Sequence, residues 1–399
     1  MVRGCEWEHP VTGVGRPKVK NIIGRAPRKT FPFRLYMIKY NLLNRLEVCR
    51  MKPRKSAIKT DLFAAGYHQQ KLDQLGDPLL RIASCIDFPA LAAEVNRAAP
   101  RPVSPQGGRP PYPTETMVRI SVLKRLYNLS DEQMEYQLQD RHSYQRFCGL
   151  VDAARLPDRT TIWHFENRIG VAGADALFAA VEQQILRHGY VARGGRIIDA
   201  TLVPAPKQHF SRDDKEQIKE NAMPADWSPA KRRQKDLDAT WTKKHGKSTY
   251  GFKLSVSVDR KHKLIRKLVT DTAAVHDSQH FEAVLDDWNT SAEVYADRGY
   301  PSQGREEQLK AQGYRSRIQR KGSRNHPLSE FQQLRNHKIA KVRARVEHVF
   351  GAMEQMGGKS IRAIGQARAD FALTMMAVTY NIKRLVFLEA DPIRALACP

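Results

Sequence analysis

The chain has 399 residues, of which 41% are hydrophobic and 27% charged, a composition typical of a soluble globular protein with two or three domains. Its net charge is +25 and its isoelectric point is near 10.0, which predicts a polyanionic partner. Five cysteines without CxxC spacing argue against a disulfide framework or a zinc site, and for a reducing compartment. The longest apolar stretch, residues 371–378, is shorter than the roughly 20 residues that span a bilayer. We therefore expect a buried helix there, no membrane partner and, without an evident secretory signal, a cytoplasmic protein.

Residues 1–58 form a basic extension without steady hydrophobic periodicity. Residues 1–59 hold 15 Lys or Arg and three acidic residues, a net charge of +12, so the remaining chain still carries +13. Two interpretations stay open: a disordered basic arm, or a stretch that precedes a true translation start at Met51. We assign this segment no catalytic role.

Residues 59–190 show helical periodicity and predict an α-helical domain. Thr114, Ser130 and Asp158 stand where helix caps are expected. The predicted helices cover residues 117–126, 131–138 and 159–169. Short helices joined by tight turns fit a helix-turn-helix whose last helix enters the DNA major groove, and they fit a plain helical packing domain equally well.

After glycines at 189 and 195 the pattern changes to strands, and residues 191–399 predict an α/β domain with a mixed sheet and flanking helices. The predicted strands are 196–203, 250–258, 263–270, 292–296 and 314–318. The predicted helices are 277–285, 303–312, 329–357 and 370–388. Residues 205–248 are polar and unpatterned, which predicts a mobile insertion.

Three acidic residues stand in different local settings. Asp199 and Asp297 each end an apolar run, and Glu347 belongs to a helical pattern. Carboxylate oxygens are the ligands that Mg²⁺ prefers, and two ions about 3.5–4 Å apart suit phosphodiester chemistry. Each acid alone also has a structural explanation, since Asp is common in turns after strands.

The sequence around Glu347 predicts a helix with an apolar stripe and with acidic and basic residues on the flank of that stripe. At about 100° per residue, Arg343 and Glu347 lie on the same side, next to the buried face. Arg343 then orients the carboxylate or binds a phosphate. The alternative is an ordinary surface ion pair between residues four apart, which contributes about 0.2–0.5 kcal/mol.

Several segments resemble the DDE transposases of bacterial insertion sequences, and most closely the family named for insertion sequence five. In the sheet region they are IIDATLV at 197–203, YGFK at 250–253, the pair at 276–277, VYADRGY at 294–300 and RARVEHVF at 343–350. In the helical region they are RPPYPTETM at 109–117, YNLSD at 127–131 and LPDRTTI at 156–162. The resemblance covers roughly residues 75–390. It implies an RNase H-like catalytic domain, binding to terminal inverted repeats, and Mg²⁺-dependent cutting and strand transfer.

By this resemblance, Asp199, Asp297 and Glu347 are the catalytic, metal-binding triad, and Arg343 matches the arginine of the family signature. The signature departs from its usual form at two positions. Ala340 stands where the family usually has Tyr, and Glu354 stands where it has a Lys that contacts end DNA.

Other residues are expected to support the site or to bind DNA. His276 and Asp277 have a family position near the active site, although Asp277 also fits a helix cap. The densely basic run before Glu347 is either a solvated charged face or a channel for the DNA backbone. The predicted DNA-binding residues are Arg159, Thr160, Arg315, Arg317, Arg320, Lys321, Arg324, Lys338, Lys341 and Arg345. Aromatic residues that could stack on an unpaired base are Trp227, Trp241 and Tyr250, with core packing the alternative for Tyr250.

These observations predict a transposase that cuts double-stranded DNA at inverted repeats and transfers the 3′-hydroxyl strand to target DNA. We expect two Mg²⁺ ions, with Mn²⁺ as a substitute, a homodimer on DNA, and a nucleoid-associated location in the cytoplasm. The alternatives are an RNase H-like nuclease without strand transfer, and a catalytically impaired DNA-binding protein derived from a transposase.

Overall fold

A computed structural model describes residues 60–102, 110–220, 224, 226–244 and 246–390. The predicted basic extension at 1–58 lies outside these residues. The chain divides into two compact units, residues 1–68 and residues 69–399. Helix α1 begins in the described part of the first unit, and all other elements belong to the second.

The first part of the chain is helical, as its periodicity predicts. The helices are α1 (Ala64–Leu75), α2 (Pro78–Cys85), α3 (Phe88–Ala98), α4 (Thr114–Leu126), α5 (Asp131–Asp140), α6 (His142–Cys148) and α7 (Arg159–Arg187). Ser130 caps α5 through a capping box, and Asp158 caps α7 by accepting the Thr161 N–H. Thr114 is the first residue of α4 rather than its cap, and Pro113 precedes it without a side-chain cap bond.

A six-stranded mixed sheet follows, and the predicted α/β class is confirmed. Its strands are β1 (Arg196–Pro204), β2 (Thr240–Lys244), β3 (Lys247–Asp259), β4 (Ile265–Thr272), β5 (Glu293–Ala296) and β6 (Arg315–Ile318). The order is β2-β3-β1-β5-β6, with β4 also paired to β3. The pairs of β3 with β1, β2 and β4 are antiparallel, whereas β1–β5 and β5–β6 are parallel.

The remaining helices are α8 (Arg212–Lys219), α9 (Pro229–Gln234), α10 (Gln303–Ala311), α11 (Glu330–Gln355) and α12 (Gln366–Ala390). A helix was predicted at 277–285, but only the short 3₁₀ turn Asp277–His280 forms. Arg305 Nη2 donates to the Ser278 carbonyl at 2.8 Å. The same carbonyl accepts the Phe281 N–H at 3.5 Å, the bond that belongs to the 3₁₀ turn.

The region at 205–248 contains more regular structure than its composition predicts. It includes α8, α9 and β2, and β3 begins within it. Ser211 and Ser228 cap the two helices, and Trp227 is buried with its Nε1 donating to Asp214 at 2.8 Å. A buried aromatic ring and good caps thus stabilise a segment that lacks long periodicity. Its mobility stays a prediction.

Apolar side chains form three clusters around these elements. One joins α2–α7 with α12, and a second packs one sheet face against α11 and α12. The third packs the other face, including Ile198 and Val294, against Phe281 and Leu309. Helices α7 and α12 are long and apolar enough for a membrane span by composition alone, but 72% of the apolar window of α12 is buried in the protein. Helix α12 is therefore a core helix, as predicted from residues 371–378.

Candidate active site

Asp199 lies on β1, and Asp297 is the first residue after the neighbouring parallel strand β5. Strand β1 pairs with β5 so that Ile197 is opposite Tyr295. Asp199 lies two residues beyond Ile197, and Asp297 two residues beyond Tyr295, so both are at the same level on strands about 4.8 Å apart. Since side chains alternate with a period of two, both carboxylates point to the same sheet face. The sheet thus assembles the first two predicted acids.

The Asp199 carboxylate is largely buried and fully engaged. Its Oδ1 accepts the Ala200 N–H at 2.9 Å, and its Oδ2 accepts Arg343 Nη2 from α11 at 2.6 Å. Only 13% of the Asp199 side chain and 18% of Arg343 are exposed. Burial raises the pKa of Asp199, the negative charge of Asp297 adds to this, and Arg343 opposes it. The influence of Asp297 on this pKa agrees with the proximity that the strand register gives.

The turn after β5 sets the direction of Asp297. Its Oδ1 accepts the Gly299 N–H at 2.7 Å, and the Tyr300 N–H donates to the Asp297 carbonyl at 3.3 Å. A Cβ at Gly299 would lie 2.9 Å from Oδ1, which is closer than real side chains approach. The sequence Asp-Arg-Gly-Tyr therefore encodes a turn that orients a carboxylate at the end of a strand.

Glu347 lies on α11, one turn after Arg343, and its side chain is exposed. The predicted apolar stripe of this helix is confirmed, since Ile339, Val346 and Met353 are buried. Arg343 makes its ion pair with Asp199 and not with Glu347, so the alternative of a local surface pair is not realised. Among the residues that the structure describes, no group of three His, Cys, Asp or Glu side chains is placed to hold a metal ion. The structure brings together two of the three predicted acids, and Glu347 remains at the helix flank.

The pair His276–Asp277 follows β4, and the buried Lys253 forms an ion pair with Asp277. His276, not Asp277, is the cap residue of the short 3₁₀ turn, through its Nδ1 and the Ser278 N–H. Asp277 instead pairs with Lys253 Nζ at 2.6 Å, and that amine also donates to the Val275 carbonyl. The role of Lys253 was missed from the sequence. The available signal was a lysine within an otherwise apolar central strand, where only a paired charge is tolerated.

Tyr300 connects the acidic pair with this loop. Its ring is 1% exposed and packs against Phe281 at 5.7 Å between centroids. Within the described residues its hydroxyl has no hydrogen-bond partner. Burial raises the pKa of Tyr300, and the charges of Asp199, Asp277 and Asp297 raise it further, so the phenol stays neutral. All three carboxylates thus lie within electrostatic reach of one side chain.

Most of the predicted DNA-binding residues are accessible to solvent. The exposed ones are Arg159, Thr160, Arg315, Arg320, Lys321, Arg324, Lys338 and Lys341. Two others are engaged within the protein: Arg317 pairs with Glu293 at 3.1 Å, and Arg345 Nη1 donates to the Arg260 carbonyl at 3.0 Å. Exposure is compatible with phosphate binding, and DNA contact stays a prediction for all ten.

The structure separates the three predicted stacking residues. Trp227 is 2% exposed and Tyr250 is 3% exposed, so both are core residues. Trp241 on β2 is 51% exposed, with its ring 5.3 Å from Tyr250 and Lys207 Nζ 5.9 Å from its centroid. Only Trp241 of these three can stack on a base without unfolding its surroundings.

The two departures from the signature lie on the same flank of α11 as Glu347. Ala340 is half-buried, and Glu354 is exposed. Lys359 Nζ pairs with the Glu354 carboxylate at 2.7 Å, on side chains that are 32% and 60% exposed. The acid is thus locally neutralised by a nearby amine.

The donor set suits a hard divalent cation in kind. Asp199 and Asp297 offer only carboxylate oxygens, and their mutual repulsion makes a site that favours positive charge. Arg343 at present supplies part of that charge. The two aspartates therefore fit Mg²⁺ or Mn²⁺ in kind, and Glu347 lies on the helix that carries Arg343, one turn further along.

Comparison with known families agrees with this arrangement. Residues 192–382 match the family described as Transposase DDE domain, and residues 67–168 match the one described as Transposase domain (DUF772). No solved structure matches the chain. The first match contains the sheet, Asp199, Asp297 and Glu347. The second contains the predicted DNA-reading residues Arg159 and Thr160.

Proposed function

The two domain matches support an insertion-sequence-type DDE transposase, and we propose that this protein cuts insertion-sequence ends and transfers the released 3′-hydroxyl strand to target DNA. The Transposase DDE domain itself supports a transposase function. Within that class we assign the chain to the family named for insertion sequence five, on the segments quoted from its sequence. We further propose that residues 191–399 form an RNase H-like catalytic domain.

One observation carries the proposal: two carboxylates at the same level on adjacent parallel strands, with a helix that bears a third acid packed across them. Asp199 lies on β1 and Asp297 follows β5, and α11 contacts Asp199 through Arg343. Three antiparallel strand pairs, of β3 with β1, β2 and β4, continued by the parallel pairs β1–β5 and β5–β6 support the RNase H-like assignment. The proposed reaction needs no Ser or Tyr nucleophile, since bound metal ions that orient and activate the reacting oxygens are sufficient for phosphodiester chemistry of this class.

The residues of the chain have separate tasks in this mechanism. Asp199, Asp297 and Glu347 would hold two Mg²⁺ ions, with Mn²⁺ as a substitute. Bound there, the ions would supply Lewis-acid activation of the attacking oxygen and neutralise charge on the leaving oxygen. The Lys253–Asp277 pair fixes the loop beside the aspartates. The exposed basic residues would hold the DNA backbone in a salt-sensitive, largely sequence-independent way.

The proposed partners are double-stranded DNA at the terminal inverted repeats and target DNA. Two ends must be held together for transfer, so we propose a homodimer in the DNA complex. The net charge of +25 supports a nucleoid-associated protein in the cytoplasm.

A second candidate function is supported by Glu354, whose charge is opposite to that of the lysine usual in the family. Its pairing with Lys359 lowers the repulsion toward DNA without making the position attractive. A transposase-derived protein that binds DNA but no longer cuts it would show this departure. An RNase H-like nuclease without strand transfer is the other alternative.

One assay separates these functions. Labelled DNA with the element's ends is incubated with wild-type protein, Asp199→Ala and the control Asp152→Ala, which alters an exposed acid of the helical part. We expect joined products from wild type and control, and a loss of more than about a thousandfold in Asp199→Ala with DNA binding retained. Removing Mg²⁺ with EDTA should stop the reaction, and adding it back should restore it.

The other outcomes are equally informative. Cleavage without joined products would favour the nuclease. DNA binding by the wild-type protein without any cleavage would exclude both enzymatic functions and favour the DNA-binding alternative.

A further inference from the structure

The contact between Arg343 and Asp199 occupies an oxygen that the proposed metal needs. Asp199 has two carboxylate oxygens, of which Oδ1 is held by the Ala200 N–H at 2.9 Å. The other, Oδ2, accepts Arg343 Nη2 at 2.6 Å. A metal cation and the Arg343 guanidinium are both attracted to the Asp199 carboxylate, so each weakens the binding of the other.

Arg343 is incompletely satisfied where it lies. It binds Asp199 through one nitrogen only, not through the two-pronged geometry that makes arginine–carboxylate pairs strong. Its Nη1 reaches Gln319 Oε1 at a long 3.4 Å, and its buried Nε has no partner within the described residues. Buried donors in a purely structural pair are normally satisfied. The Arg343 guanidinium can therefore move away from Asp199 without breaking a complete set of hydrogen bonds.

The fold nevertheless needs a positive charge at this place. Asp199 is largely buried and has Asp297 as a neighbour on the same sheet face. A buried carboxylate without a counter-ion strongly destabilises the folded state. Before a metal arrives, Arg343 is the side chain that supplies this charge to Asp199.

We propose that Arg343 is a built-in counter-ion that holds Asp199 in the metal-free protein and releases it when a divalent cation binds. The inference rests on the proposed function in one respect, namely that Asp199 is a metal ligand. Arg343 therefore sets the metal affinity of the site. It is a positioning residue that holds Asp199 in the metal-free protein and does not hold it once the metal is bound. Gln319, already within 3.4 Å, is the acceptor toward which the released guanidinium turns.

The first test measures Mn²⁺ binding by calorimetry without DNA. Arg343→Gln removes the competing charge and should bind Mn²⁺ about tenfold more tightly, the lower end of the effect that one nearby charge has on proton binding. Arg343→Lys keeps the charge and should stay near wild type. The matched control Arg335→Gln removes a charge from the same helix, one that donates to the Ile318 and Ser316 backbone carbonyls, and should change the affinity less than about twofold. Unchanged or weaker binding in Arg343→Gln would overturn the proposal.

A second test uses the wild-type protein alone, so it does not depend on the folding of any variant. Phenylglyoxal modifies accessible guanidinium groups, and peptide mass spectrometry identifies the modified arginine. Saturating Mn²⁺ should accelerate modification of Arg343 severalfold and leave Arg345 unchanged. If Mn²⁺ leaves the Arg343 rate the same or slows it, the side chain is not released and the proposal fails.

These outcomes are separable from the proposed function. Tight Mn²⁺ binding with Arg343 release, but no DNA cleavage by wild type, would leave this inference standing and refute the transposase activity. If Asp199→Ala binds Mn²⁺ as tightly as wild type, Asp199 is no ligand and the inference fails. That result would leave the DNA cleavage assay to decide the function by itself.

Discussion

At the scale of single residues, the site is shaped by how each charge is compensated. Asp199 is paired with Arg343 and Asp277 with Lys253, whereas Asp297 accepts the Gly299 N–H and has no ion pair with any residue that the structure describes. Because Asp199 has a cationic partner and Asp297 has none among the described residues, negative potential is concentrated at the end of β5.

The tryptophans of residues 205–248 allow a clear prediction at this scale. Trp227→Ala should lower the free energy of unfolding by about 3–5 kcal/mol, because it removes a buried ring and leaves the Asp214 carboxylate without its Nε1 donor. Trp241→Ala, at a half-exposed ring, should cost less than about 1 kcal/mol. Denaturant unfolding followed by circular dichroism measures both.

Equal destabilisation by the two substitutions would contradict the burial that the structure assigns. For DNA affinity we expect the opposite order of the two substitutions, with Trp241→Ala the more damaging one. If Trp241 stacks on a base, Trp241→Ala lowers the affinity for single-stranded DNA at unchanged stability.

Residue pairs mark the limit of what the sequence could predict. The flank position of Arg343 on α11 followed from helical geometry, and the buried stripe beside it was correct. Its partner was not predictable, because Asp199 is 144 positions away and helical spacing reports only neighbours three or four apart. The same holds for Lys253 and Asp277, whose contact depends on how β3 and the loop after β4 meet.

At the scale of elements, long periodic segments were predictable and short irregular ones were not. Helices α4, α5, α10 and α11 and all but one strand begin and end within a few residues of their predicted limits. Strand β2 was missed because its stability comes from pairing with β3 around Gly246, which has a φ of +79°. Helices α8 and α9 depend on a serine cap and on the burial of Trp227, features that a hydrophobic period does not report.

Helix α7 gives the prediction at this scale. Gly170 interrupts it with φ +50° and ψ −155°, a conformation that is nearly exclusive to glycine. Gly170→Ala should therefore lower the free energy of unfolding by about 1–3 kcal/mol. The matched control is Gly304→Ala in α10, where φ is ordinary and a Cβ meets nothing within 4 Å.

That control should stabilise the protein by up to about 1 kcal/mol, since alanine is the better helix former. Thermal and denaturant unfolding of the two variants, measured side by side, report the difference. A stabilising effect of Gly170→Ala would mean that α7 runs straight through this position.

At the scale of the whole molecule, α12 ties the parts together. Its side chains belong both to the helical core and to the core beneath the sheet, for example Met375 in the first and Leu373 in the second. Arg266 and Glu182 add an ion pair between β4 and α7. The helical part and the sheet therefore share one compact unit from residue 69 onward. A sequence pattern could not predict this, because α12 follows the sheet in the chain and gives no sign of the helices it joins.

The distribution of charge gives the last prediction. Residues 1–59 carry +12 of the net +25, and the acidic triad and both domain matches lie outside them. A protein that begins at residue 60 should fold and cut DNA as the full chain does once bound, but bind it less tightly. For every phosphate that the shorter protein no longer neutralises, the slope of log affinity against log salt becomes shallower by about 0.9. Affinities of both proteins for one duplex, measured between about 50 and 200 mM salt, give the two slopes. Identical slopes would mean that the extension does not touch DNA, and loss of cleavage at saturating DNA would mean that it serves the catalytic site.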